Sequence, residues 1–403
     1  MRILLVHNYY RAGQPGGEDV VFEQEKALLE SAGHEIVTYT RSNDEMDERR
    51  PLDALRTVSG LVHSERTRRE LAALIARHRP QVAHFHNTFP LISASGYESC
   101  RAAAVPVVQT LHNFRLTCIA ATHYRDGQVC EACAPGDTSA AVRHRCYRGS
   151  TLASFAVARM QRRHWSLRTY HRLVDRFVAL SHFARARFVR AGLPAEKIVV
   201  KENFVPQPSE ATRVEPFAPK SKAHAVFVGR LSEEKGVRTL IEAWGSLRDL
   251  PLKIVGDGPL RGELAARAAR DNLPIEFLGM QPRSEARSLL RAAWVQIVPS
   301  ECFEQTPLAI PEAWAEGVPV IASRLGAMLE TVGIDAPAAA QFTAGDAADL
   351  ARVVRALQGD VRVQATLVER GFTRCREIYS PAASLAALER IYSMDAVRMS
   401  AGA

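Results

Sequence analysis

The sequence lacks any apolar run of the roughly 18–20 residues that a membrane-spanning helix needs, which argues against an integral membrane protein. It also lacks the apolar core of a secretory signal, because the opening stretch MRILLVHNYY soon turns polar and predicts a buried first strand instead. Hydrophobic residues make up 47% and charged residues 24%, a balance that argues against a disordered or fibrous chain. We therefore expect a cytoplasmic globular protein.

Acidic residues are nearly absent from one window. Residues 140–190 contain twelve arginines and a single acid, Asp175, whereas the whole chain has a formal net charge of +8. Such a window indicates an anionic surface, nucleic acid or a phosphorylated substrate, with a solvated arginine-rich helix as the alternative.

Within this window, residues 159–177 interleave arginines with apolar side chains. If the segment is helical, the apolar side chains line one face while arginines flank it, as in a helix lying on an anionic lipid surface. An ordinary core-facing helix with a solvated basic edge is the other interpretation. The apolar side chains concerned are Trp165, Leu167, Tyr170, Leu173 and Phe177.

The seven cysteines, in a chain without an export signal, favour thiols or metal ligands over disulfides. Four of them cluster along the chain: Cys118, Cys130, Cys133 and Cys146. The Cys130-x2-Cys133 spacing is typical of a tetrahedral zinc site, and His123 and His144 are further candidate ligands. A structural zinc ion, which would order a long loop, stands beside reduced thiols and disulfides as open alternatives.

The length of 403 residues predicts two domains of about 150–200 residues each. Short β-branched runs alternate with helical-period segments in two stretches, which is the pattern of parallel sheets covered by helices. A Pro-rich, polar break at residues 205–219 separates the stretches. We predict an α/β fold with two doubly wound domains, whose strands lie at 3–7, 35–39, 82–86, 107–111 and 176–180, then at 225–229, 252–255, 275–278, 295–298 and 318–322.

The loop GRLSEEKG follows the first strand of the second stretch. Arg230 leaves the end of that strand, and Lys235 precedes Gly236, which opens a predicted helix. Two cations at a helix N-terminus form a site for a diphosphate, because backbone N–H groups and the helix dipole add to their charge. The alternative is a surface lysine balanced by Glu233 and Glu234.

The segment PSECFEQTPLAIPEAWAEGVPVIAS places two carboxylates near a second helix. Glu304 lies in the loop after a buried strand, and Glu312 lies inside a helix predicted to begin near Thr306 and Pro307. Carboxylates accept bidentate hydrogen bonds from vicinal hydroxyls, which indicates a sugar or a ribose. The alternative is that Glu304 only compensates the helix dipole.

Together these motifs resemble the retaining glycosyltransferases of family 4. FVGRLSEEKG, IVGDGPL and the Glu-x7-Glu block before AEGVPVIAS resemble that family's nucleotide-sugar half, while GGEDVVFEQEKALLESAGHEIVTYT and VVQTLHNFR are similar to its acceptor half. The resemblance implies the GT-B fold, two Rossmann-like domains facing across a cleft. It implies an acceptor-side domain at 1–203 with a cysteine-containing insert around 115–150, a nucleotide-sugar domain at 204–378, and a segment 379–403 whose helix crosses back to the first domain.

The resemblance also implies roles for individual residues. The donor diphosphate would be held by Arg230 and Lys235, the ribose hydroxyls by Glu312, and the transferred sugar by Glu304. The remaining implied residues are the backbone amides at Gln305, Thr306 and Pro307, His112 near the reacting carbon of the sugar, and Gly16 and Gly17, which lack the side chain that would block a close approach to the phosphate.

The implied activity is retaining transfer of a sugar from a nucleoside-diphosphate sugar to a glycan or lipid-linked acceptor, in cell-surface polysaccharide or glycolipid synthesis at the inner face of the cytoplasmic membrane. The chain has no Asp-x-Asp sequence, consistent with metal-free phosphate handling and no catalytic cofactor. A sugar-nucleotide epimerase on the same fold is an alternative that would release a free altered donor. A zinc-containing nucleic-acid-binding protein is a remote one, because it leaves Lys235, Glu304 and Glu312 unexplained.

Overall fold

The computed structural model describes residues 1–13, 16–46, 58–133, 137–206 and 224–393, so most of the predicted break at 205–219 lies outside the described residues. The chain divides into two compact units. The first comprises Met1–Ala121, Glu131–Lys201 and Leu385–Ala403, and the second comprises Thr122–Cys130 and Glu202–Ser384. Each unit is built on one six-stranded parallel sheet, which confirms the predicted α/β class.

The first half of the chain supplies eight strands among the described residues. They are β1 Arg2–Tyr9, β2 Glu35–Ser42, β3 Val82–Phe85, β4 Val107–Leu111, β5 Tyr124–Arg125, β6 Gln128–Val129, β7 Arg176–Ala179 and β8 Ile198–Val200. Strands β5 and β6 form a small antiparallel hairpin that belongs to the second unit, and the other six form the first sheet in the order β2-β1-β3-β4-β7-β8. Strand β1 is apolar on both faces of this sheet, since Ile3, Leu4 and Leu5 are fully buried under helices.

The helices of the first unit follow the strands in the alternation that parallel pairing requires. Through residue 190 they are α1 Gly17–Ser31, α2 Glu65–His78, α3 Ser95–Ala102, α4 Ser139–Arg143, α5 Thr151–Ser166, α6 Thr169–Leu173 and α7 His182–Arg190.

The second unit repeats this architecture with the strand order β11-β10-β9-β12-β13-β14. Its strands are β9 Ala225–Val228, β10 Leu252–Val255, β11 Ile275–Gly279, β12 Val295–Val298, β13 Val320–Ser323 and β14 Ala340–Phe342. Its helices are α8 Val237–Trp244, α9 Arg261–Arg270, α10 Arg283–Ala292, α11 Ala309–Ala315, α12 Ala327–Val332, α13 Ala347–Gln358 and α14 Val361–Glu377.

The last described helix, α15 Pro381–Ser393, returns to the first unit from Leu385 onward. Its buried Leu388, Ile391 and Tyr392 join the core that contains the first strand. The apolar side chains of α15 are therefore accounted for by burial in the core of the first unit.

A single helix over residues 159–177 does not form, so that condition of the predicted lipid-facing surface is wrong. Helix α5 ends at Ser166, and Arg168 adopts the left-handed conformation with φ 50°, which turns the chain into α6 and then β7. Tyr170 and Phe177 are buried in the core, as the core-facing interpretation expected. An arginine carries no sequence signal for a left-handed break, because that conformation is normally marked by glycine or asparagine.

The first unit buries several neutral histidines. Burial holds the pKa of His84 at about 4 and, with the nearby Arg163 charge, that of His164 at about 4. Burial also holds the pKa values of His86 and His112 well below the ordinary value, with neighbouring histidines and Lys201 adding to the effect. At mildly acidic pH these histidines therefore stay neutral in the folded protein but bind protons in the unfolded chain.

We expect the free energy of unfolding to fall as the pH decreases from 7 towards 4. Above the ordinary histidine pKa these imidazoles are neutral in both the folded and the unfolded state, whereas below it the unfolded state binds more protons. Each such histidine therefore lowers the free energy of unfolding by up to about 1.4 kcal/mol per pH unit. Urea unfolding at pH 7 and pH 5 measures the effect. The matched variant His164→Gln should show a shallower dependence, and an equal slope in both proteins would contradict the assignment of His164.

Candidate functional site

Two loops meet at the centre of the second sheet because of its strand order. Strand β9 lies between β10 and β12, and the chain connections leave these two sides in opposite directions. In such doubly wound sheets the connections diverge at this point and open a crevice beyond the carboxyl ends of the strands. The loops at residues 229–236, after β9, and 299–308, after β12, border this crevice, and they carry most of the predicted donor-binding residues.

The structure brings Lys235 and Glu304 into direct contact. Lys235 Nζ donates to Glu304 Oε1 at 2.6 Å, and Ser300 Oγ donates to the same oxygen at 2.8 Å. Burial opposes ionisation of Glu304, but the charge and hydrogen bonds of Lys235 and Ser300 outweigh it and lower its pKa. Burial likewise opposes the charge of Lys235, and Glu304 outweighs it and raises the pKa of the ammonium group. The site therefore contains a fixed cation and a fixed anion at neutral pH.

Gly236 makes this contact possible. Its φ is +67°, and a Cβ on it would lie 1.9 Å from the carbonyl oxygen of Pro299. Only glycine tolerates both the left-handed conformation and this approach of one loop to the other. The short 3-10 helix Glu233–Lys235 ends at this glycine, which directs Lys235 towards the loop after β12.

Polar atoms at this site remain available to a ligand. Both bonds to Glu304 use Oε1, so Oε2 has no hydrogen-bond partner among the described residues. Arg230 is exposed, and no described residue forms an ion pair with its guanidinium group. Lys235 is bonded to Glu304, and the nearby Glu234 of the first alternative also favours the charge of this lysine.

The side chain of Gln305 is buried in an unusual way. The sequence analysis gave a role only to the backbone amide of this residue. It is 6% exposed, and its amide nitrogen and oxygen are both buried without a hydrogen-bond partner in the part of the chain that the structure describes. Leaving buried polar atoms unpaired is costly, so these atoms indicate a polar ligand or water. The predicted set of backbone donors needs one correction, because Pro307 has no N–H to donate. Helix α11 begins at Ala309, after Thr306 and Pro307.

Glu312 lies in α11 and does not join the Lys235–Glu304 pair. Its Oε1 is 3.8 Å from a guanidinium nitrogen of Arg283, and burial raises the pKa of its carboxyl group despite that charge. Glu312 lies about one helix turn after the loop that follows β12. Its contact with the ribose stays a prediction.

The hairpin β5–β6 contributes an interaction that the sequence analysis missed. Glu301 accepts hydrogen bonds from Thr239 Oγ1 at 2.5 Å and from Tyr124 Oη at 3.2 Å. The ring of His123 lies 6.3 Å from the ring of Phe303 in the same loop. Tyr124 is part of the predicted cysteine-containing insert, and its hairpin, which belongs to the second unit, supports the loop that carries Glu304.

Gly16 and Gly17 precede helix α1 in the first unit. The Gly16 N–H donates to Asp19 Oδ2 at 2.9 Å, and Asp19 Oδ1 lies 2.8 Å from His7 Nε2. A Cβ on Gly16 would lie 2.5 Å from the Tyr10 ring, whereas one on Gly17 would meet nothing within 4 Å. The structure thus gives Gly16 a packing reason to be glycine, and the close approach of a phosphate stays a prediction.

His112 follows strand β4 and contacts His86, which follows the neighbouring strand β3. His112 Nε2 lies 3.0 Å from His86 Nδ1, and the two rings stack with centroids 5.1 Å apart. Next to it in sequence, Asn113 donates to Glu18 Oε1 at 2.6 Å, and burial raises the pKa of Glu18. His112 therefore sits at the carboxyl edge of the first sheet, in a polar and well-ordered environment.

The four clustered cysteines are not gathered into one site. Cys118, Cys130, Cys133 and Cys146 are half-buried. Within the described ranges, one group of three or more potential ligands has its ligand atoms within 4.8 Å of one another, and it consists of Glu25, His84 and His86. The Lys201 ammonium bonds to Glu25 beside this group, so the cluster is already neutralised by a protein cation.

Helix α5 has an exposed face in the arginine-rich window. Leu152 is 81% exposed and Phe155 is 56% exposed, and they precede the exposed side chains of Arg159, Arg162 and Arg163. We call these five residues the α5 surface. Its apolar members, Leu152 and Phe155, are not among the apolar side chains that the sequence analysis named. Among the helices of the described residues, none has the length and apolar character needed to cross a membrane.

Two protein-family profiles match the chain. The profile described as Glycosyltransferase Family 4 matches residues 15–207, and the profile described as Glycosyl transferases group 1 matches residues 222–360. The chain is 35% identical over 140 residues to 2-deoxystreptamine glucosyltransferase of Streptomyces kanamyceticus, which covers 33% of this chain and 36% of that one. It is 33% identical over 175 residues to the GDP-mannose-dependent alpha-(1-6)-phosphatidylinositol dimannoside mannosyltransferase of Mycobacterium tuberculosis, covering 41% and 45%.

These matches span less than half the length of the curated relatives, whereas solved structures match over nearly the whole chain. Anabaena HepE in complex with UDP is 19% identical with a TM-score of 0.65 and covers 98% of this chain and 100% of that one. Sucrose-phosphate synthase of Thermosynechococcus elongatus is 18% identical with a TM-score of 0.69 and covers 98% of each. With two parallel-sheet units, matching profiles on both and this likeness of fold, the chain belongs to the group 1 glycosyltransferases and has the GT-B fold.

Proposed function

We propose that this protein transfers a sugar from a nucleoside-diphosphate sugar to a glycan or lipid-linked acceptor, with retention of configuration and without a catalytic metal. The observation that carries the proposal is the Lys235–Glu304 pair at the crevice of the second unit. A cation for a diphosphate and a carboxylate for sugar hydroxyls lie side by side there. A glucosyltransferase and a mannosyltransferase among the relatives, and UDP bound to a structural neighbour, support the same activity.

The donor diphosphate would bind to the cations of the loop after β9. Lys235 has three N–H donors, and its bond to Glu304 uses one of them. Arg230 adds an exposed guanidinium group on the same loop. Cleavage of the sugar–phosphate bond places negative charge on the leaving diphosphate, and positive groups held in position stabilise that charge in the transition state.

The sugar and the ribose would bind to the loop after β12 and to α11. Glu304 Oε2 and the unpaired amide of Gln305 supply an acceptor and a donor–acceptor pair for sugar hydroxyls. Glu312 would accept from the ribose hydroxyls, and His112 would lie against the sugar near its reacting carbon. We assign none of these groups as a covalent nucleophile, so retention would proceed by return of the acceptor on the face that the diphosphate leaves.

Replacing Lys235 with alanine should weaken UDP binding about ten- to a hundredfold, because it removes charge-assisted hydrogen bonds worth roughly 1.5–3 kcal/mol. Glu304→Gln should lower kcat more than it changes UDP affinity, because its proposed partner is the sugar. Isothermal titration with UDP and GDP measures the first effect. Lys253→Ala, which removes a partly exposed lysine of the same sheet, is the matched control. Equal nucleotide affinity of wild type and Lys235→Ala would refute the phosphate assignment.

We also propose that the α5 surface binds anionic membranes, which would bring the enzyme to a lipid-linked acceptor at the cytoplasmic face. Leu152 and Phe155 offer exposed apolar area beside the arginines at 159, 162 and 163. Each arginine near an anionic surface contributes on the order of 1 kcal/mol, and salt screens that attraction. A phosphatidylinositol-linked substrate in the name of one relative supports this kind of acceptor.

Changing Arg159, Arg162 and Arg163 together to Glu should abolish binding to vesicles that contain anionic lipid. Wild type should sediment with anionic vesicles at low salt, less at high salt, and not with neutral vesicles. The control replaces three exposed arginines of the second unit, Arg352, Arg362 and Arg370, with Glu and should retain more binding than the α5 variant. Equal binding to neutral and anionic vesicles, or none at low salt, would refute the membrane proposal.

A structural zinc ion held by the cysteine-containing insert is a further proposal, supported by the Cys130-x2-Cys133 spacing alone. A metal ion held by these thiols would couple metal binding to ordering of the insert. We expect about one zinc ion per chain in reduced protein purified without added metal, and its loss in Cys130→Ser/Cys133→Ser. Cys100→Ser removes an isolated thiol and should retain the metal, and metal-free wild type would refute the proposal.

A further inference from the structure

A row of buried polar side chains runs through the first unit behind His112. His86 Nε2 lies 3.5 Å from Glu25 Oε2, and Glu25 Oε1 accepts from Lys201 Nζ. Glu25, His86 and Lys201 are each at most 3% exposed. The row therefore links a buried ion pair, through the two stacked imidazoles, to the edge of the sheet where His112 lies.

The carboxylate of Glu25 determines where His86 carries its proton. A carboxylate offers lone pairs only, and neither Glu25 Oε2 nor His86 Nε2 has a hydrogen-bond partner among the described residues, so their 3.5 Å approach is an electrostatic contact. A lone pair on Nε2 would face the lone pairs of Oε2 inside the protein, which is costly. The proton of the neutral imidazole therefore lies on Nε2, and Nδ1 carries the lone pair.

The position of that proton then determines the state of His112. With a lone pair on His86 Nδ1, the 3.0 Å contact to His112 Nε2 is a hydrogen bond only if His112 donates. A neutral His112 that is protonated on Nε2 has its lone pair on Nδ1. No hydrogen-bond partner for His112 Nδ1 is found within the described ranges, so its lone pair is left for a donor from outside the protein.

We propose that Glu25 and His86 are positioning residues that hold His112 in the Nε2–H tautomer, so that its Nδ1 accepts a hydrogen bond from a hydroxyl of the donor sugar. This inference rests on the proposed function for its ligand. It adds the position of the proton: His112 is a neutral acceptor at Nδ1, and its one ring proton is held in the bond to His86.

Two further histidines, His84 and His7, lie beside the row but are hydrogen-bonded to other residues. His84 lies with its ring centroid 4.4 Å from that of His86, but its Nδ1 is 2.7 Å from Tyr392 Oη and its Nε2 is 2.7 Å from Thr110 Oγ1. His7 also faces His86, and its Nε2 is bonded to Asp19. A variant at a residue bonded to His84 therefore disturbs the same core without breaking the link to His112.

Nitrogen-15 NMR of histidine-labelled, ligand-free protein tests the tautomer. We expect His112 and His86 each to carry the proton on Nε2 in wild type. Glu25→Gln should change or mix both tautomers, because its amide donates to His86 Nε2. Tyr392→Phe should leave both tautomers unchanged. A proton on His112 Nδ1 in wild type would overturn the proposal, and this readout does not depend on whether the protein transfers a sugar.

Kinetics test whether His86 acts through His112. His86→Ala should lower kcat about tenfold, the value of one hydrogen bond, with little change in UDP affinity. His86→Asn, whose Oδ1 replaces the Nδ1 acceptor, should recover most of this loss. In the His112→Ala background His86→Ala should have no further effect on kcat. Additive losses, an equal loss in His86→Asn, or an equal loss in Tyr392→Phe would reduce His86 to a structural residue and overturn the proposal.

Discussion

The ion pair between Lys235 and Glu304 is the constraint on which the candidate donor site depends. It joins the loops after two adjacent strands of the second sheet, and Gly236 is the residue that lets the loops approach. Removing either partner would leave the other charge unpaired at a half-buried position, which costs more than the pair itself contributes. The pair therefore serves less to stabilise the fold than to hold one cation and one anion at a defined separation.

The pair also explains why some polar atoms of the site have no hydrogen-bond partner among the described residues. Glu304 uses one oxygen for Lys235 and Ser300, and its second oxygen, like the buried amide of Gln305, lacks a partner among the described residues. An enzyme that binds a charged, hydroxyl-rich ligand needs such groups held in place before the ligand arrives, since their ordering is then not a cost of binding. Glu301, bonded by Thr239 and Tyr124, restrains the same loop from the other side.

The sequence predicted the sheet well where strands are buried on both sides. The bounds of Val107–Leu111, Leu252–Val255 and Val295–Val298 agree with the prediction, because central parallel strands are short continuous apolar runs. The strands Ile198–Val200 and Ala340–Phe342 were missed, since three residues at a sheet edge carry too little pattern. For the site, the sequence identified Lys235 and Glu304, and the resemblance implied that both bind one donor. Their direct hydrogen bond could not be predicted, because contact between loops depends on strand order.

The histidine row shows the same limit at greater separation. His84 lies on β3 and His86 directly follows that strand, while Thr110 lies on the neighbouring β4 and His112 directly follows it. The partners that make this row tolerable in a sheet core come from helix α1, from the residue after β8 and from the last described helix, namely Glu25, Lys201 and Tyr392. Buried imidazoles are stable only when every ring is bonded, so each ring had to be matched by a residue far away in sequence. The sequence analysis identified only His112 of this row, and which ring nitrogen carries the proton follows only from the partners that the fold supplies.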